Sequence, residues 1–382
     1  MLWHVLTGEY PPDCGGVGDY TATLAKGLAA AGDTVHVWTF HAPGAAEPPR
    51  YDGVVVHQLP DRFAGGSRAA LASAWKKSPG TVLLQYVPNA LGSRGLNLRF
   101  CFWLRKIHRA GTDVRVMFHE PYFYFSAARP WRNAIAIVQR TMAATLLQAA
   151  SRVYLSTETW YRYLRAVGVL PPFQAIPIPS SIPEAALPAA IARFRSEIAP
   201  GGGAVVGHFG TFGEHVAGEL VAVLPSIASR VADVRFALIG AGSQAFLQRL
   251  RRDSPDLASR AWASGRLDPP EVAAVLRACD VMIQPYPDGV TTRRTSAMAG
   301  LKNGVATVST AGSLTEPIWS RANAVALPPA GDYAAFGDAV AALLRDPRAR
   351  ASLACRGAET YRRHFSIEQT VAALRGAPAE AA

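Results

Sequence analysis

Cysteine is scarce in this chain, with four residues among 382. Cys14, Cys101, Cys279 and Cys355 lie far apart and form no C-x-x-C pair, which argues against a disulfide framework and against a zinc site. We therefore expect reduced thiols in a cytoplasmic protein.

Long apolar runs and the common cofactor motifs are also missing. No apolar stretch approaches the roughly 20 residues that span a bilayer. The first residues, Met1–Val5, read as a strand rather than as a signal peptide. There is no Asp-x-Asp motif, no cluster of His, Cys and Asp with metal-ligand spacing, no G-x-S-x-G and no P-loop lysine. The sequence thus predicts neither a resident metal nor a bound cofactor.

Acidic residues are the minority, 28 against 39 lysine and arginine residues, so the net charge is +11. Such a balance suits an anionic partner: nucleic acid, a phosphorylated substrate or a membrane surface. No RNP, KH or zinc-finger pattern occurs, so nucleic acid is not expected. A hydrophobic content of 49% supports a sizeable core rather than disorder.

Short Val-, Ile- and Leu-rich strand patterns alternate with helical patterns from end to end, which predicts βαβ units and mostly parallel sheets. The strand patterns cover residues 2–6, 34–38, 54–56, 82–84, 114–118, 153–155, 204–207, 234–239, 281–283 and 306–308. The helical patterns cover residues 19–31, 68–77, 96–109, 131–150, 214–230, 244–252, 270–278, 333–344 and 367–374.

Prolines interrupt this alternation at Ile176–Pro183, where neither a helix nor a central strand can continue. We take this stretch as a linker between two domains, residues 1–182 and residues 183–364. Residues 365–382 would add a last helix and a tail. Ligands of such sheets bind at the carboxyl ends of the strands.

Glycine-rich turns between strands and helices mark candidate phosphate sites in both halves, because they let an oxygen-rich ligand approach the backbone. In the first half, Gly15, Gly16 and Asp19 follow the first strand pattern, after Pro11-Pro12. In the second half, strand-end turns carry the following residues: Gly210, Thr211, Gly240, Arg266 and Gly289.

The loop that carries Gly15 and Gly16 resembles the first loop of family 4 glycosyltransferases, which have the GT-B fold. The order of elements over residues 204–320 resembles the donor-nucleotide domain of the same family. The resemblance implies two Rossmann-like domains that face each other across a cleft, with the last helix crossing back to the N-terminal domain. It also implies metal-independent, retaining transfer of a sugar from a nucleotide-diphospho-sugar co-substrate to a hydroxyl acceptor. The glycine turns would contact this donor, and Asp19 would lie on the acceptor side.

Two positions depart from the family pattern of two glutamates separated by seven residues. Asp288 stands at the first, which approaches the donor sugar, and Ser296, in Ser296-Ala297-Met298-Ala299, stands at the second, which holds the ribose. The usual arginine and lysine after the strand at 204–207 are absent. Arg293, Arg294 and Thr295 begin the helix that contains Ser296, and we expect the two arginines to bind the diphosphate instead.

His119 and Glu120 follow the strand pattern at 114–118, and the family carries a histidine at the matching place. We expect His119 to act on the sugar and Glu120 to contact the acceptor, which is lipid-linked or a saccharide. Basic and aromatic residues also alternate from Arg94 to Arg109. That segment fits an ordinary helix on the core or a helix lying on an anionic membrane, at the inner face of a cell membrane.

Two other functions keep the same fold. A nucleotide-sugar epimerase would need several acids or bases around the sugar ring, and such residues are sparse here. A degenerate protein that binds a nucleotide sugar or a membrane without catalysis would explain Ser296 and the missing basic pair. The donor base, donor sugar, acceptor and oligomeric state stay open.

Overall fold

The computed structural model describes residues 1–13, 15–40, 48, 51–92, 95–128, 130–184 and 187–376. Cys14, Arg94 and the tail after Gly376, which were named above, lie outside the described residues. The chain divides into two compact units. Unit 1 comprises Met1–Pro177 and Ile367–Ala382, and unit 2 comprises Ile178–Ser366.

Unit 1 is built on a parallel sheet of seven strands in the order β3-β2-β1-β4-β5-β6-β7. Every residue of β4 is buried, as expected for a strand covered on both faces. The strands are β1 (Leu2–Leu6), β2 (Thr34–Thr39), β3 (Val54–Gln58), β4 (Thr81–Tyr86), β5 (Val114–Phe118), β6 (Arg152–Leu155) and β7 (Phe173–Ala175).

Helices cover both faces of this sheet. They are α1 (Gly16–Ala30), α2 (Gly65–Lys77), α3 (Leu98–Arg109), α4 (Trp131–Leu147), α5 (Trp160–Arg165) and, from the end of the chain, α15 (Ile367–Arg375). Helices α2 to α5 share one apolar core cluster. Helix α15 packs on α1 instead, where a Cβ on Gly27 would lie only 2.8 Å from Cγ1 of Ile367. The glycine therefore lets the two helices approach closely.

Unit 2 contains a five-stranded parallel sheet in the order β10-β9-β8-β11-β12. Its strands are β8 (Val205–Phe209), β9 (Arg235–Ile239), β10 (Ala261–Ala263), β11 (Val281–Gln284) and β12 (Thr307–Ser309). Its helices are α6 (Pro188–Ile198), α7 (Glu214–Ala228), α8 (Ser243–Asp253), α9 (Pro255–Ser259), α10 (Pro269–Ala278), α11 (Thr295–Lys302), α12 (Pro317–Arg321), α13 (Tyr333–Arg345) and α14 (Pro347–Thr360).

The α/β fold class expected from the sequence is confirmed, and each predicted strand is present. Strands β7 and β10 were not predicted, because each has three residues at the edge of its sheet and lacks an aliphatic run. Helix α1 begins at Gly16 rather than at Asp19, so the glycine pair forms its first turn.

Candidate functional site

The candidate residues of unit 1 meet at the carboxyl edge of its sheet. Gly15 and Gly16 follow β1, while His119 and Glu120 follow β5. Strands β1 and β4 are neighbours from which the chain continues in opposite directions, and ligands of open parallel sheets bind at such a switch point. Gly15 is the N-cap of the 15-residue helix α1, so backbone N–H groups face this edge.

His119 is held in one orientation by the residues around it. Its Nε2 lies 2.7 Å from Oε1 of Gln85, and its ring meets Tyr20 edge-on at 5.0 Å between centroids. The backbone carbonyl of His119 accepts a hydrogen bond from Nε1 of Trp160 at 2.9 Å. Because a carboxamide oxygen only accepts, Nε2 carries the proton, and Nδ1 of the neutral ring is the acceptor.

Gln85 was not predicted as a site residue. Its signal in the sequence is a single polar side chain in the buried strand Thr81–Tyr86, where an unpaired amide would be costly. It is fully buried and belongs to β4, the strand beside β5. We therefore infer that Gln85 positions His119.

The glycine loop of unit 1 is packed against an acidic group. A Cβ on Gly15 would overlap Oε2 of Glu9, so a residue without a side chain is required there. Burial raises the pKa of the Glu9 carboxyl, and the charges of Asp13, Asp19 and Glu120 raise it further. The carboxyl edge of unit 1 thus joins a helix N-terminus to a group of acidic side chains.

The glycine loops of unit 2 also depend on close backbone contact. Gly240 has φ +126°, and a Cβ there would overlap the carbonyl oxygen of Gly210. A Cβ on Gly242 would likewise overlap the carbonyl oxygen of Thr211. The turns after β8 and β9 therefore touch each other, and Arg266 is exposed on the turn after β10. All three turns lie at the carboxyl edge of the sheet.

Asp288 follows β11 on a tight turn at the same edge. Gly289 has φ +88°, and a Cβ there would overlap Oγ1 of Thr315. The carbonyl of Asp288 accepts a hydrogen bond from the Leu314 amide at 3.0 Å. This turn leaves the Asp288 side chain exposed at the carboxyl edge of the sheet of unit 2.

Arg294 and Ser296 are linked through Tyr286. Arg294 is the N-cap of α11, directly after Arg293 and before Thr295, and its guanidinium lies 4.4 Å from the centroid of the Tyr286 ring. The Tyr286 hydroxyl donates to Oε1 of Gln284 at 3.0 Å and lies 2.8 Å from Oγ of Ser296. Because the Tyr286 hydroxyl already donates its proton to Gln284, the Ser296 hydroxyl is the donor in the hydrogen bond between Ser296 and Tyr286.

Glu316 is a second residue that sequence reasoning missed. Its buried carboxylate accepts hydrogen bonds from the Thr292 amide at 3.1 Å, from Oγ1 of Thr292 at 2.7 Å and from Nε1 of Trp319 at 3.1 Å. It therefore fixes the backbone directly before Arg293. The only local signal was an acid before Pro317 at the start of α12.

Each predicted set therefore lies along the carboxyl edge of the sheet of its own unit. Among the residues that the structure describes, no three His, Cys, Asp or Glu side chains are placed to hold a metal ion. Within the same ranges no helix has both the length and the apolar character needed to cross a bilayer.

Two family models match the chain in succession. Residues 15–181 match a glycosyl transferase 4-like domain, and residues 203–346 match glycosyl transferases group 1. Together with the two parallel sheets, these matches define an enzyme, a glycosyltransferase of the GT-B fold. The chain thus contains a glycosyl transferase 4-like domain followed by a glycosyl transferases group 1 domain. No curated protein sequence matches it.

Solved structures agree with this fold over nearly the whole chain. Sucrose-phosphate synthase from Thermosynechococcus elongatus has a TM-score of 0.75 at 16% identity, covering 98% of this chain and 97% of its own. WaaG, a glycosyltransferase involved in lipopolysaccharide biosynthesis, has a TM-score of 0.67 at 14% identity, covering 98% of this chain and 100% of its own. Anabaena HepE in complex with UDP and glucose has a TM-score of 0.70 at 14% identity, covering 98% of this chain and 99% of its own. At these identities the similarity establishes the fold alone.

Proposed function

We propose that this enzyme is a retaining, metal-independent hexosyltransferase that moves a sugar from a nucleotide-diphospho-sugar to a hydroxyl acceptor. The observation that carries the proposal is the pair Arg293 and Arg294 at the N-terminus of α11, on the edge where the glycine turns of unit 2 lie. Two guanidinium groups and a helix N-terminus supply the positive charge that a leaving diphosphate needs.

In this mechanism the protein orients the donor and stabilises charge. The glycine turns at Gly210 and Gly240 admit the phosphates to the backbone, and Asp288 stabilises positive charge near the anomeric carbon. As the bond between that carbon and the diphosphate breaks, the acceptor oxygen attacks from the same face. The leaving diphosphate takes the acceptor proton, while Nδ1 of His119 accepts a hydrogen bond from a sugar hydroxyl.

A UDP-sugar is the first donor to test, because HepE was solved with UDP-glucose and an E. coli trehalose-6-phosphate protein with UDP-2-fluoro glucose. Thermal shift with UDP-, GDP-, ADP- and dTDP-sugars identifies the donor, since a ligand of the folded state raises the melting temperature. Donor hydrolysis and transfer are then measured with and without EDTA. We expect turnover that EDTA leaves unchanged and product with the donor's anomeric configuration.

Arg294→Ala should lose the thermal shift, whereas Arg251→Ala, at the exposed end of α8, should keep it. No turnover with any donor, in a protein that still binds one, would refute the enzymatic proposal. Loss of activity in EDTA that Mg²⁺ restores would refute metal independence.

The second candidate is a non-catalytic nucleotide-sugar binder. The observation that favours it is the hydrogen bond between Ser296 and Tyr286, which uses the hydroxyl proton that a donor ribose could otherwise receive. Calorimetry that detects donor binding without turnover by NMR would support it. The cytoplasmic location and the lipid-linked or saccharide acceptor remain predictions.

A further inference from the structure

A cavity opens at the amino edge of the sheet of unit 2, the edge opposite to the glycine turns. It has a volume of about 330 Å³, and its lining includes Arg277, Asp280, Asn303 and Arg350. Asp280 directly precedes β11, and Asn303 lies in the connection before β12. Because the strands of this sheet are parallel, Asp288, which follows β11, lies at the other edge. The cavity is therefore separate from the candidate donor site.

The ends of three helices build this cavity. Arg277 lies in the last turn of α10, Asn303 is the C-cap of α11, and Arg350 lies near the start of α14. The start of α14 is fixed by Asp346, whose Oδ1 accepts hydrogen bonds from the two amides that follow Pro347, at 2.9 and 3.0 Å. The polar side chains of the cavity are thus carried by ordered helix ends.

Arg350 brings a positive charge that is only partly balanced. Its Nη1 donates to two backbone carbonyls at the end of α13, at 3.3 and 3.4 Å, which orients the guanidinium. Its Nη2 lies 3.7 Å from Oδ1 of Asp280, which is longer than a hydrogen bond. The same carboxylate already accepts hydrogen bonds through Oδ2 from Nη1 of Arg195 and from the Val205 amide, both at 2.8 Å. Asp280 is therefore largely neutralised by Arg195.

Arg277 adds a second guanidinium to the same lining. Its side chain is exposed, so the charge is open to a ligand from solvent. With Asp280 paired to Arg195, the charge that remains in the cavity is positive. Guanidinium groups bind phosphate and carboxylate oxygens through paired N–H donors, so this charge favours an anionic group.

Asn303 supplies the opposite kind of contact. Its side chain is 6% exposed, and its Nδ2 donates to the carbonyl of Ala299 at 3.0 Å. Its Oδ1 has no hydrogen-bond partner in the part of the chain that the structure describes. An unpaired buried amide oxygen costs stability, and a hydroxyl group of a ligand would satisfy it. The cavity thus combines a site for an anion with an acceptor for a hydroxyl.

We propose that this cavity binds a small hydroxylated phosphate monoester. The phosphate lies between the guanidinium groups of Arg277 and Arg350, and a hydroxyl donates to Oδ1 of Asn303. The volume is at the lower end of the range for ligand pockets, which suits a polyol phosphate or a monosaccharide phosphate and leaves too little room for a whole nucleotide sugar. This site goes beyond the proposed transfer reaction, because it uses none of the candidate donor residues.

The test is calorimetric titration of the full chain with glycerol 3-phosphate, inorganic phosphate and glycerol, without donor or acceptor. Glycerol 3-phosphate should bind more tightly than phosphate, and glycerol should not bind. Arg277→Ala removes an exposed side chain and should weaken the binding of both anions by about tenfold, as for one hydrogen bond to a charged group. The matched control Arg251→Ala, on the exposed end of α8, should bind like the parent.

Two further variants separate the contacts. Asn303→Leu keeps the size of the side chain without its acceptor, so it should abolish the preference for glycerol 3-phosphate over phosphate. Arg294→Ala, at the carboxyl edge, should leave both affinities unchanged. Because Arg277→Ala changes only an exposed side chain, it decides the proposal even where Asn303→Leu fails to fold.

Three results would overturn the proposal. They are no binding of glycerol 3-phosphate to the parent, unchanged affinity in Arg277→Ala, and a preference for glycerol 3-phosphate that a folded Asn303→Leu variant keeps. Loss of binding in Arg294→Ala but not in Arg277→Ala would likewise overturn it, because the phosphate would then occupy the donor site. Since no donor is present, a protein that transfers sugar but does not bind glycerol 3-phosphate would count against this proposal alone.

Discussion

Acidification should destabilise unit 2 through His208. This residue of β8 is 2% exposed, its Nδ1 lies 2.9 Å from the carbonyl oxygen of Ile283, and burial lowers its pKa from 6.5 to about 4. The neutral ring donates from Nδ1. Its Nε2 has no hydrogen-bond partner in the described part of the chain, so a proton added there would be buried without an acceptor.

The sign and size of the effect follow from linkage. The unfolded chain binds the His208 proton with a pKa of 6.5 and the folded unit with a pKa of about 4, so stability is lost as pH falls from 6.5 towards 4. Each pKa unit corresponds to about 1.4 kcal/mol, so His208 should contribute a loss of about 2 kcal/mol at pH 5 and about 3 kcal/mol below pH 4.

His208→Asn provides the comparison, because its amide can still donate to the Ile283 carbonyl but does not titrate. The variant leaves a cavity whose cost does not depend on pH, so the informative quantity is the difference in pH slope between the two proteins. The lowered pKa values of His4, His36 and His57 affect both proteins equally. Denaturant unfolding followed by hydrogen exchange of the β8 amides reports on unit 2. Parallel stability curves between pH 8 and pH 5 would refute the reasoning.

Four further predictions concern the candidate sites. Arg294→Ala should weaken donor binding by about 1.5–3 kcal/mol, the range for hydrogen bonds to a charged group. Unchanged affinity in calorimetry would show that Arg294 does not contact the donor. His119→Ala should lower kcat and kcat/KM together while donor affinity holds. Gln85→Leu should lower kcat less than His119→Ala does, and it should shift the pH–rate profile. An unchanged profile would mean that Gln85 has only a structural role. Glu9→Gln should raise the melting temperature at pH 7 but not at pH 4. The raised pKa of Glu9 means that the folded protein holds the proton more tightly, so the carboxyl costs stability as pH rises above 4.5; an equal gain at both pH values contradicts this.

The sequence by itself determined the local structure and the chemical classes of the site residues. Apolar runs of four to six residues, separated by helical periodicity, are enough to predict the strands of both sheets, because the pattern depends on near neighbours. The glycines at strand ends and the pair Arg293 and Arg294 could be predicted as candidate site residues, because these signals are also local in the sequence. Strands β7 and β10 could not, because their pairing comes from a neighbouring strand rather than from their own three residues.

The tertiary structure decided which side chains support those residues. Gln85 and His119 are 34 positions apart, and Glu316 and Thr292 are 24 apart, so no local pattern joins them. Each pair forms because neighbouring parallel strands bring their carboxyl ends to one edge, where a buried polar group must find a partner. The sequence alone predicted His119, Arg293 and Arg294 as site residues. The hydrogen bond to Gln85 fixes the tautomer of His119. The hydrogen bonds of Glu316 fix the backbone that precedes the two arginines.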